Sequence, residues 1–400
     1  MKKKKWIKFR HKFTRKVIYP LVWLYVKAKS GAKVKKFNRK GKGPYVILFN
    51  HQTGYDQFII AMSFKFPIYL LASDDVLSNG FYSRVLEYFG SPIPIKKNVT
   101  DMNAVKTCIK AVKEGATIAI SPEGNRTYSG ETCYFNPSIV PLVKKLGVPL
   151  IMYRIEGGYG ALPRWADKGR KGNLVGYVKR VVEPEEIEKL SKEELHELIK
   201  SELYLNEFDL VGKYTGKSKA EYLERVAYYC PKCELTEFAS NGDVIKCKKC
   251  GLEVEYLDDK SLSSLDKEFP YKNYLEWYKA QCGFINKLDL VERKDELFYQ
   301  DQAKLYKVIP RKRKHLLEKQ TKVSLYGGKI VISKKDEQKE ILFKDAQGIS
   351  VLGRNKLNVY YQDEVYQLKG DKRFNAVKYL NFYHRYNNQL KGDNNEFLGL

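Results

Sequence analysis

Short apolar runs alternate with longer helical stretches between about residues 44 and 186, and this alternation restricts the fold more than any other feature. Six runs have the length and composition of buried strands: 45–49, 68–72, 91–95, 116–120, 148–155 and 174–182. Helices are predicted to begin at Asp56 and Asp101 and to cover the charged stretch 183–203. This order predicts an α/β domain in which helices flank a mixed, largely buried sheet.

Positive charge is concentrated at the start of the chain. The formal net charge is +26, and residues 1–43 contain 17 Lys or Arg and no Asp or Glu. A cationic segment of this kind attracts an anionic surface, either nucleic acid or acidic lipid. Within it Trp6, Phe9, Phe13 and Val17 recur at spacings of three and four, which predicts an amphipathic interfacial helix.

Pro20 is predicted to kink or end this helix before a second apolar stretch. Trp6, Trp23 and Tyr25 suit the headgroup level of a bilayer. We therefore expect residues 1–30 to bind anionic membrane lipids. A solvated basic arm is the alternative. Nucleic acid is less favoured as a partner, because a phosphate backbone gives bulky apolar residues nothing against which to be buried.

We expect no transmembrane span. The longest uncharged run near the start, residues 17–26, has ten residues, whereas a spanning helix needs about 20. A signal peptide is also disfavoured, because Lys27-Ala28-Lys29 follows the run instead of a small-residue cleavage site. Together with the paired cysteines described below, this predicts a protein held peripherally or monotopically at the cytoplasmic face of a membrane.

A His and an Asp follow the first predicted strand, in the run from Asn50 to Asp56. A His at a strand end lies where α/β enzymes place their chemistry, at the carboxyl edge of the sheet. On one regular helix His51 and Asp56 would lie about 140° apart, so they can meet only across a turn, for which Gly54 would supply the freedom. A carboxylate that holds one imidazole nitrogen leaves the other to take a proton from a hydroxyl. Alone, an H-x4-D pattern is a weak signal.

Three further blocks follow this one. Residues 90–97 are an apolar stretch that ends in two lysines, residues 116–126 are a strand followed by a turn with Arg, and residues 147–151 open a strand with Gly-Val-Pro. In this order and spacing the four blocks resemble those of the glycerolphosphate and lysophosphatidate acyltransferase family, which are N-H-x4-D, G-x-I-x-[RK], F-P-E-G-T-R and V-P-x-x. The resemblance covers about residues 40–200, half of the chain.

The resemblance implies transfer of a fatty acyl group from an acyl thioester to the free hydroxyl of a lysophosphatidate-type glycerolipid, giving phosphatidate. The donor would be acyl-CoA or acyl-carrier protein. His51 would act as the general base and Asp56 would orient it and stabilise the imidazolium. No acyl-enzyme intermediate is needed, because the acceptor hydroxyl attacks the thioester directly.

The same resemblance implies a binding site for the acceptor phosphate. Arg126 would bind the phosphate in bidentate geometry, and Lys96 and Lys97 would add positive charge. Glu123 and Gly124 belong to the same block, where Glu123 would shape the turn.

The chain departs from the family pattern at three positions. Thr53 stands where many members have Ser, Asn125 stands where Thr is usual, and Ser121 replaces an aromatic residue. These changes remove no reacting group, but they leave open another lysolipid or a glycolipid as the acceptor.

Four of the seven cysteines form two C-x2-C pairs separated by thirteen residues. This spacing predicts a zinc ribbon with structural Zn bound by Cys230, Cys233, Cys247 and Cys250, because so short a piece has too little apolar material to fold otherwise. A redox or disulfide role is the alternative. Zinc ribbons often bind nucleic acid or protein, so a non-enzymatic nucleic-acid-binding protein is the rival function. The other three are interpreted as buried thiols: Cys108, Cys133 and Cys282.

Beyond the ribbon the pattern changes to a helix at 271–286 and then to short strands around a Gly327-Gly328 turn, followed by a helix from 372 to about 386. A meander of strands with one C-terminal helix resembles pleckstrin-homology-like domains. The predicted order is a membrane-interface segment, an acyltransferase domain, a zinc ribbon, a helical linker and a small β-rich domain: 1–30, 31–210, 226–256, 257–295 and 296–400.

Overall fold

The computed structural model describes residues 6–38, 43–73, 76–78, 80–95, 101–132, 134–309, 314–334, 337–392 and 396–399. The chain forms two compact units. The first comprises residues 1–164 and 169–216, and the second comprises 165–168 and 217–400. The predicted fold class is confirmed: the first unit is α/β, and the second combines a cysteine cluster with a β-rich sheet.

The first unit begins with helices and then alternates strands and helices. Its described helices are α1 (Phe9–Phe13), α2 (Tyr19–Ser30), α3 (Asp56–Ser63), α4 (Phe81–Gly90), α5 (Met102–Lys113), α6 (Ile139–Leu146), α7 (Gly158–Ala161), α8 (Pro184–Lys189) and α9 (Lys192–Leu203). Its described strands are β1 (Lys33–Val34), β2 (Val46–Phe49), β3 (Ile68–Ser73), β4 (Ile93–Ile95), β5 (Thr117–Ile120), β6 (Leu150–Glu156) and β7 (Val175–Val182).

These strands form one mixed sheet in the order β1-β7-β6-β2-β5-β3-β4. Strand β2 is central and runs parallel to both β5 and β6, whereas β7 runs antiparallel to β6. Successive side chains of a strand point to opposite faces, and Val46 and Leu48 accordingly join one hydrophobic core while Ile47 and Phe49 join the other. The carboxyl ends of β2 and β5 therefore lie side by side at one edge of a sheet whose two faces are both buried.

The helical segment at the N-terminus continues through Pro20. A π-helical turn at Thr14–Ile18 joins α1 to α2, and Pro20 lies in the first turn of α2, where the missing N–H costs little. The helical residues run on past Pro20, so the prediction that Pro20 ends the helix is wrong. Trp6 and Trp23 pack against the hydrophobic cores instead of facing outwards, so the segment is not a solvated arm.

The second unit contains two small sheets and one large one. Its described strands are β8 (Tyr229–Cys230), β9 (Glu234–Leu235), β10 (Phe238–Asn241), β11 (Val244–Cys247), β12 (Glu253–Tyr256), β13 (Leu262–Ser263), β14 (Leu297–Lys307), β15 (His315–Tyr326), β16 (Lys329–Lys334), β17 (Glu337–Leu342), β18 (Gly348–Leu352), β19 (Lys356–Tyr361) and β20 (Glu364–Gly370). Its described α-helices are α10 (Tyr274–Lys287) and α11 (Val377–Leu390).

The large sheet has the order β17-β16-β15-β14-β20-β19-β18. It consists of a four-stranded and a three-stranded antiparallel meander, joined where β14 pairs with β20, and α11 follows the last strand. Helix α10, in the stretch predicted as a linker, buries Trp277, Tyr274 and Ile285 within this unit. Trp277 also donates its indole N–H to the carbonyl oxygen of Tyr229, at 2.7 Å, in the ribbon.

Candidate active site

The turn between β2 and α3 brings His51 and Asp56 together. The Nδ1 atom of His51 lies 2.6 Å from Oδ2 of Asp56. The carboxylate of Asp56 is buried and also accepts the backbone N–H groups of Gln52, at 2.9 Å, and Thr53, at 3.0 Å. Three donors from three consecutive residues hold the carboxylate in one orientation, so the turn itself builds the pair.

The imidazole of His51 is oriented for proton transfer. An ionised carboxylate can only accept hydrogen bonds, so the short contact with Asp56 assigns the proton to Nδ1 and directs Nε2 away from the carboxylate. The ring packs edge-on to Phe49, with 5.8 Å between the ring centroids. The side chain of His51 is 29% exposed, whereas that of Asp56 is 1% exposed, so solvent can reach the imidazole but not the carboxylate.

Glu123, from the turn after β5, supports the backbone of His51. The backbone N–H of His51 donates to Oε1 of Glu123 at 2.7 Å, and the backbone N–H of Thr127 donates to the carbonyl oxygen of His51 at 3.0 Å. On the other side of the strand end, the amide of Asn50 exchanges two 2.8 Å hydrogen bonds with the backbone of Ile155. The strand end that carries His51 is thus fixed by β6 and by the turn after β5.

The guanidinium of Arg126 lies over the same turn. A Cβ atom added at Gly54 would be 3.5 Å from Nη1 of Arg126, an ordinary contact distance. Gly54 is not among the glycines with a positive φ, so the expectation that its backbone freedom makes the turn is wrong. Gly124, in the block that contains Arg126, does have a φ of +65° in an open position, and there glycine suits the backbone conformation.

Arg164 is a buried cation beside this loop that the sequence interpretation missed. Its Nη1 donates to the carbonyl oxygen of Arg126 at 3.1 Å and lies 3.5 Å from Oδ1 of Asn125. Its guanidinium stacks 4.0 Å from the ring centroid of Tyr128. The signal in the sequence was a single Arg within an otherwise apolar run, which has no motif attached to it. Lys96 and Lys97, predicted to add positive charge, lie outside the described residues.

Two further polar groups near the site are buried. Both amide atoms of Gln52 and the hydroxyl of Ser121 are buried without a hydrogen-bond partner among the described residues. Such groups are costly unless water or a ligand satisfies them. Tyr153 lies deeper, with its hydroxyl 2.6 Å from that of Ser63. Burial raises the pKa of Tyr153, the Ser63 hydrogen bond lowers it and the charge of Asp56 raises it again, so Tyr153 stays a neutral phenol.

The four cysteines of the predicted ribbon converge in the second unit. The sulfur atoms of Cys230, Cys233, Cys247 and Cys250 all lie within 4.8 Å of one another, and those of Cys230 and Cys250 are 3.7 Å apart. A tetrahedron of Zn–S bonds of 2.3 Å has sulfur–sulfur edges of about 3.8 Å. The donor set and its spacing therefore fit a zinc ion.

Of the remaining described cysteines, Cys108 is buried and Cys282 is half-buried. Burial raises the pKa of both Cys108 and Cys282 to about 12, which keeps the two thiols protonated and unreactive near neutral pH. Cys133 lies outside the described residues.

Residues 30–156 match a protein-family model described as Acyltransferase. This segment contains the His51–Asp56 turn, Glu123 and Arg126. The match covers about a third of the chain, and this segment is similar to the acyltransferase family. This acyltransferase domain holds the His, the Asp and the Arg near the carboxyl ends of β2 and β5, two neighbouring parallel strands.

The acyltransferase domain also resembles two curated bacterial proteins. The chain is 26% identical over 156 residues to a probable 1-acyl-sn-glycerol-3-phosphate acyltransferase of Mycoplasma genitalium, covering 37% of the chain and 57% of that protein. It is 28% identical over 111 residues to a 1-acyl-sn-glycerol-3-phosphate acyltransferase of Borreliella burgdorferi, covering 28% of the chain and 44% of that protein. The chain spans about half the length of the curated relatives it matches.

Two solved structures show weaker similarity. The 1-acyl-sn-glycerophosphate acyltransferase PlsC from Thermotoga maritima matches 48% of the chain and 75% of its own, with a TM-score of 0.37 and 21% identity. The Vps36 N-terminal PH domain matches 24% of the chain and 82% of its own, with a TM-score of 0.20 and 16% identity.

Proposed function

We propose that this protein transfers a fatty acyl group from an acyl thioester to the free hydroxyl of a lysophosphatidate-type glycerolipid at a membrane surface, giving phosphatidate. The observation that carries the proposal is the His51–Asp56 pair, 2.6 Å apart, with the guanidinium of Arg126 over the same turn. A base and a cation in neighbouring turns match an acceptor that carries a hydroxyl and a phosphate on one small glycerol unit.

His51 acts as the general base in the proposed reaction. Its Nε2 takes the proton of the acceptor hydroxyl while the oxygen attacks the thioester carbonyl carbon. The tetrahedral intermediate then collapses, the C–S bond breaks, and the leaving thiolate takes the proton back from His51. Asp56 holds the ring through Nδ1 and stabilises the imidazolium that exists between the two proton transfers. The products are the acylated lipid and the free thiol of the donor.

Arg126 binds the acceptor phosphate in this proposal. A guanidinium presents two parallel N–H groups to a phosphate, which gives orientation as well as affinity. Arg164 stabilises the loop by donating a hydrogen bond to the backbone carbonyl oxygen of Arg126. Glu123 is negatively charged and does not bind the phosphate. It accepts a hydrogen bond from the backbone N–H of His51, which makes it a positioning residue.

The N-terminal helices attach the protein to an anionic membrane in the proposed function. Their outer face exposes a row of apolar side chains: Phe9, Phe13, Val17, Leu21 and Leu24. Exposed lysines flank the row, and each basic residue near an acidic membrane contributes about 1 kcal/mol of attraction. Among the described residues, none of the helices has both the length and the apolar character needed to cross a bilayer. The attachment we propose is therefore to the membrane surface.

We propose that the four cysteines of the second unit hold a structural zinc ion, since four thiolates close the coordination shell. A nucleic-acid function for this ribbon is disfavoured, because several of its lysines form ion pairs. The Nζ atom of Lys246 lies 2.9 Å from a carboxylate oxygen of Glu253, and that of Lys248 lies 2.8 Å from one of Glu237. These carboxylates offset the positive charge that phosphate binding requires.

We also propose that residues 31–210 are the acyltransferase domain, that 226–256 are the zinc ribbon and that 296–400 are a pleckstrin-homology-like domain. The two meanders and the helix that follows them support the last assignment.

An acyl-transfer assay with a panel of acceptors and both donor types tests the proposal. Purified protein in detergent micelles is given lysophosphatidate, other lysophospholipids or a lysoglycolipid, each with acyl-CoA or acyl-carrier protein. We expect phosphatidate from lysophosphatidate and a loss on the order of 10²–10⁴-fold in the His51→Ala variant. Product formation at the wild-type rate in that variant, or no transfer to any lysolipid by the wild type, would contradict the proposed function.

A further inference from the structure

Helix α4 exposes an apolar stripe that the reaction does not use. Phe81 is 81% exposed, Tyr88 is 54% exposed and Val85 is 37% exposed. Their spacings of four and three residues place them on one face of the helix. Single exposed apolar residues are common on protein surfaces, but an aligned row with two aromatic rings marks an interaction surface.

The stripe is joined to the outer face of α1. The guanidinium of Arg10 lies 4.4 Å from the ring centroid of Tyr88, and its Nε donates to the carbonyl oxygen of Tyr88 at 2.7 Å. The next residue after α4, Ser91, is 2.8 Å from Nε2 of the buried His11. These contacts fix the C-terminal end of α4 against α1, where Phe9, the neighbour of Arg10, is 84% exposed.

The charges around the two helices favour an anionic lipid surface as the occupant. Exposed Lys12 and Lys16 flank the apolar row of α1, and exposed Arg84 borders the stripe of α4. The carboxylate of α4, Glu87, lies roughly 130° round the helix from the centre of the stripe. Aromatic rings and aliphatic side chains bordered by cations are the composition of interfacial membrane-binding helices.

We infer that α4 is a second lipid-contacting element, which enters the headgroup region of an anionic membrane together with α1 and α2. This inference rests on the membrane attachment in the proposed function. One helix at an interface leaves a protein free to roll about the helix axis. A second contact from α4, inserted between β3 and β4, removes that freedom and fixes the orientation of the acyltransferase domain on the membrane.

Vesicle co-sedimentation of the full chain tests this inference. The double variant Phe81→Glu/Val85→Glu is compared with the wild type on vesicles of equal parts phosphatidylcholine and phosphatidylglycerol. Its matched control is Val211→Glu/Leu265→Glu, which makes the same charge change at apolar residues that are 98% and 103% exposed outside α1, α2 and α4. A neutral variant, Phe81→Ser/Val85→Ser, separates lost apolar contact from added charge. Circular dichroism checks that each variant is folded.

We expect both α4 variants to partition onto these vesicles at least about tenfold more weakly than the wild type, and the control to lose much less. Equal partitioning of the α4 variants and the control would overturn the inference. A changed sedimentation coefficient in solution with unchanged vesicle binding would also overturn it, because the stripe would then contact another copy of the chain.

Transfer to detergent-dispersed, short-chain lysophosphatidate separates this inference from the proposed function. Variants that transfer normally in micelles but do not bind vesicles support the inference. If the wild type transfers to lysophosphatidate neither in micelles nor on vesicles, the proposed function is refuted. The vesicle-binding comparison would still decide the role of α4.

Discussion

Asp56→Asn is the sharpest test of the His51–Asp56 pair, because it keeps the size of the side chain and removes its charge. In the native turn Oδ2 of Asp56 accepts from Nδ1 of His51 and from the backbone of Gln52, and Oδ1 accepts from the backbone of Thr53. Every neighbour of this carboxylate in the turn is a donor. An amide offers one acceptor atom and one donor group, so it cannot satisfy all of them.

Two orientations of the new amide are available. With its oxygen towards His51, its NH₂ group faces the backbone N–H of Thr53, which keeps only its longer 3.2 Å hydrogen bond to the Oδ2 position. This contact between two donors costs about 1–3 kcal/mol in the free energy of unfolding. With its NH₂ group towards His51, Nδ1 must become an acceptor, and the proton moves to Nε2, which can then no longer act as the base. In both orientations the imidazolium loses its negative partner.

The expected loss of turnover follows from the changes at the imidazole. A charge-assisted hydrogen bond to the imidazolium contributes about 1.5–3 kcal/mol, and in the orientation that moves the proton to Nε2 the unfavourable tautomer adds about 1–3 kcal/mol. Together they raise the activation free energy by roughly 3–5 kcal/mol, which corresponds to a turnover lower by about 10²–10⁴-fold. The loss should appear in kcat more than in the KM of the acceptor, since the imidazolium forms only as the reaction proceeds.

We would measure turnover from initial rates in micelles and stability from thermal unfolding of the same samples. The matched control is Glu207→Gln, which also replaces a buried carboxylate that accepts backbone N–H groups, here of Gly157 at 2.7 Å and Gly160 at 3.5 Å, outside the turn that joins β2 to α3. We expect both variants to lose stability and only Asp56→Asn to lose turnover steeply. A folded Asp56→Asn protein that retains more than about a tenth of the wild-type turnover would refute the role of the pair.

Three further perturbations test the phosphate site, the metal site and a buried histidine. Arg126→Ala should weaken use of phosphate-bearing acceptors by about 2–5 kcal/mol in kcat/KM and leave the KM of the donor nearly unchanged, and an equal loss with a phosphate-free acceptor would argue against phosphate binding. Elemental analysis should find one zinc per chain, and Cys230→Ser/Cys247→Ser should lower the thermal midpoint while the folded fraction keeps its turnover; a zinc-free, fully stable wild type would contradict this. Burial and two neighbouring cations lower the pKa of His11 to about 4. Because an unfolded His has a pKa near 6.5, the unfolded chain takes up the proton first, so the free energy of unfolding should fall as the pH drops from about 6.5 to 4. The fall should be smaller in His11→Gln, and identical pH profiles would show that His11 is not the group responsible.

Six of the seven described strands of the first unit were predicted within about two residues of their observed ends, and the two-residue strand β1 was missed. Strand β2 was expected at 45–49 and is found at Val46–Phe49, and β7 was expected at 174–182 and is found at Val175–Val182. Buried strands in a sheet covered on both faces are continuous apolar runs, so composition alone marks them. Helix α4 was not predicted, and three of its apolar residues, Phe81, Val85 and Tyr88, are exposed instead of packing in a core.

Other misses have local causes. The charged stretch 183–203 was predicted as one helix, but it divides after Lys189, and Ser191 starts a new helix by forming a capping box with Glu194. Strand β14 was missed because its outer positions are charged or polar and only alternate residues, such as Ala303 and Leu305, are buried. Its sheet partner, and not its own composition, makes it a strand.

The candidate site divides in a similar way. His51, Asp56 and Arg126 could be selected from the sequence because they stand in blocks with fixed spacing. Arg164 could not, because only the fold brings residue 164 to the carbonyl oxygen of residue 126. The contact of Glu123 with the backbone of His51 joins residues 72 positions apart, and no spacing rule predicts it.

That contact between Glu123 and His51 has a kinetic consequence. Glu123 lies in the same turn as Arg126, so the side chain that supports the backbone of His51 and the side chain that would hold the phosphate share one short segment of backbone. A shift of this turn on phosphate binding would reach the backbone of His51 through two hydrogen bonds, of 2.7 Å to Glu123 and 3.0 Å from the N–H of Thr127. The free energy of acceptor binding would then be coupled to the position of His51. An acceptor without its phosphate would react slowly even at saturation, because it would not shift the turn that positions His51.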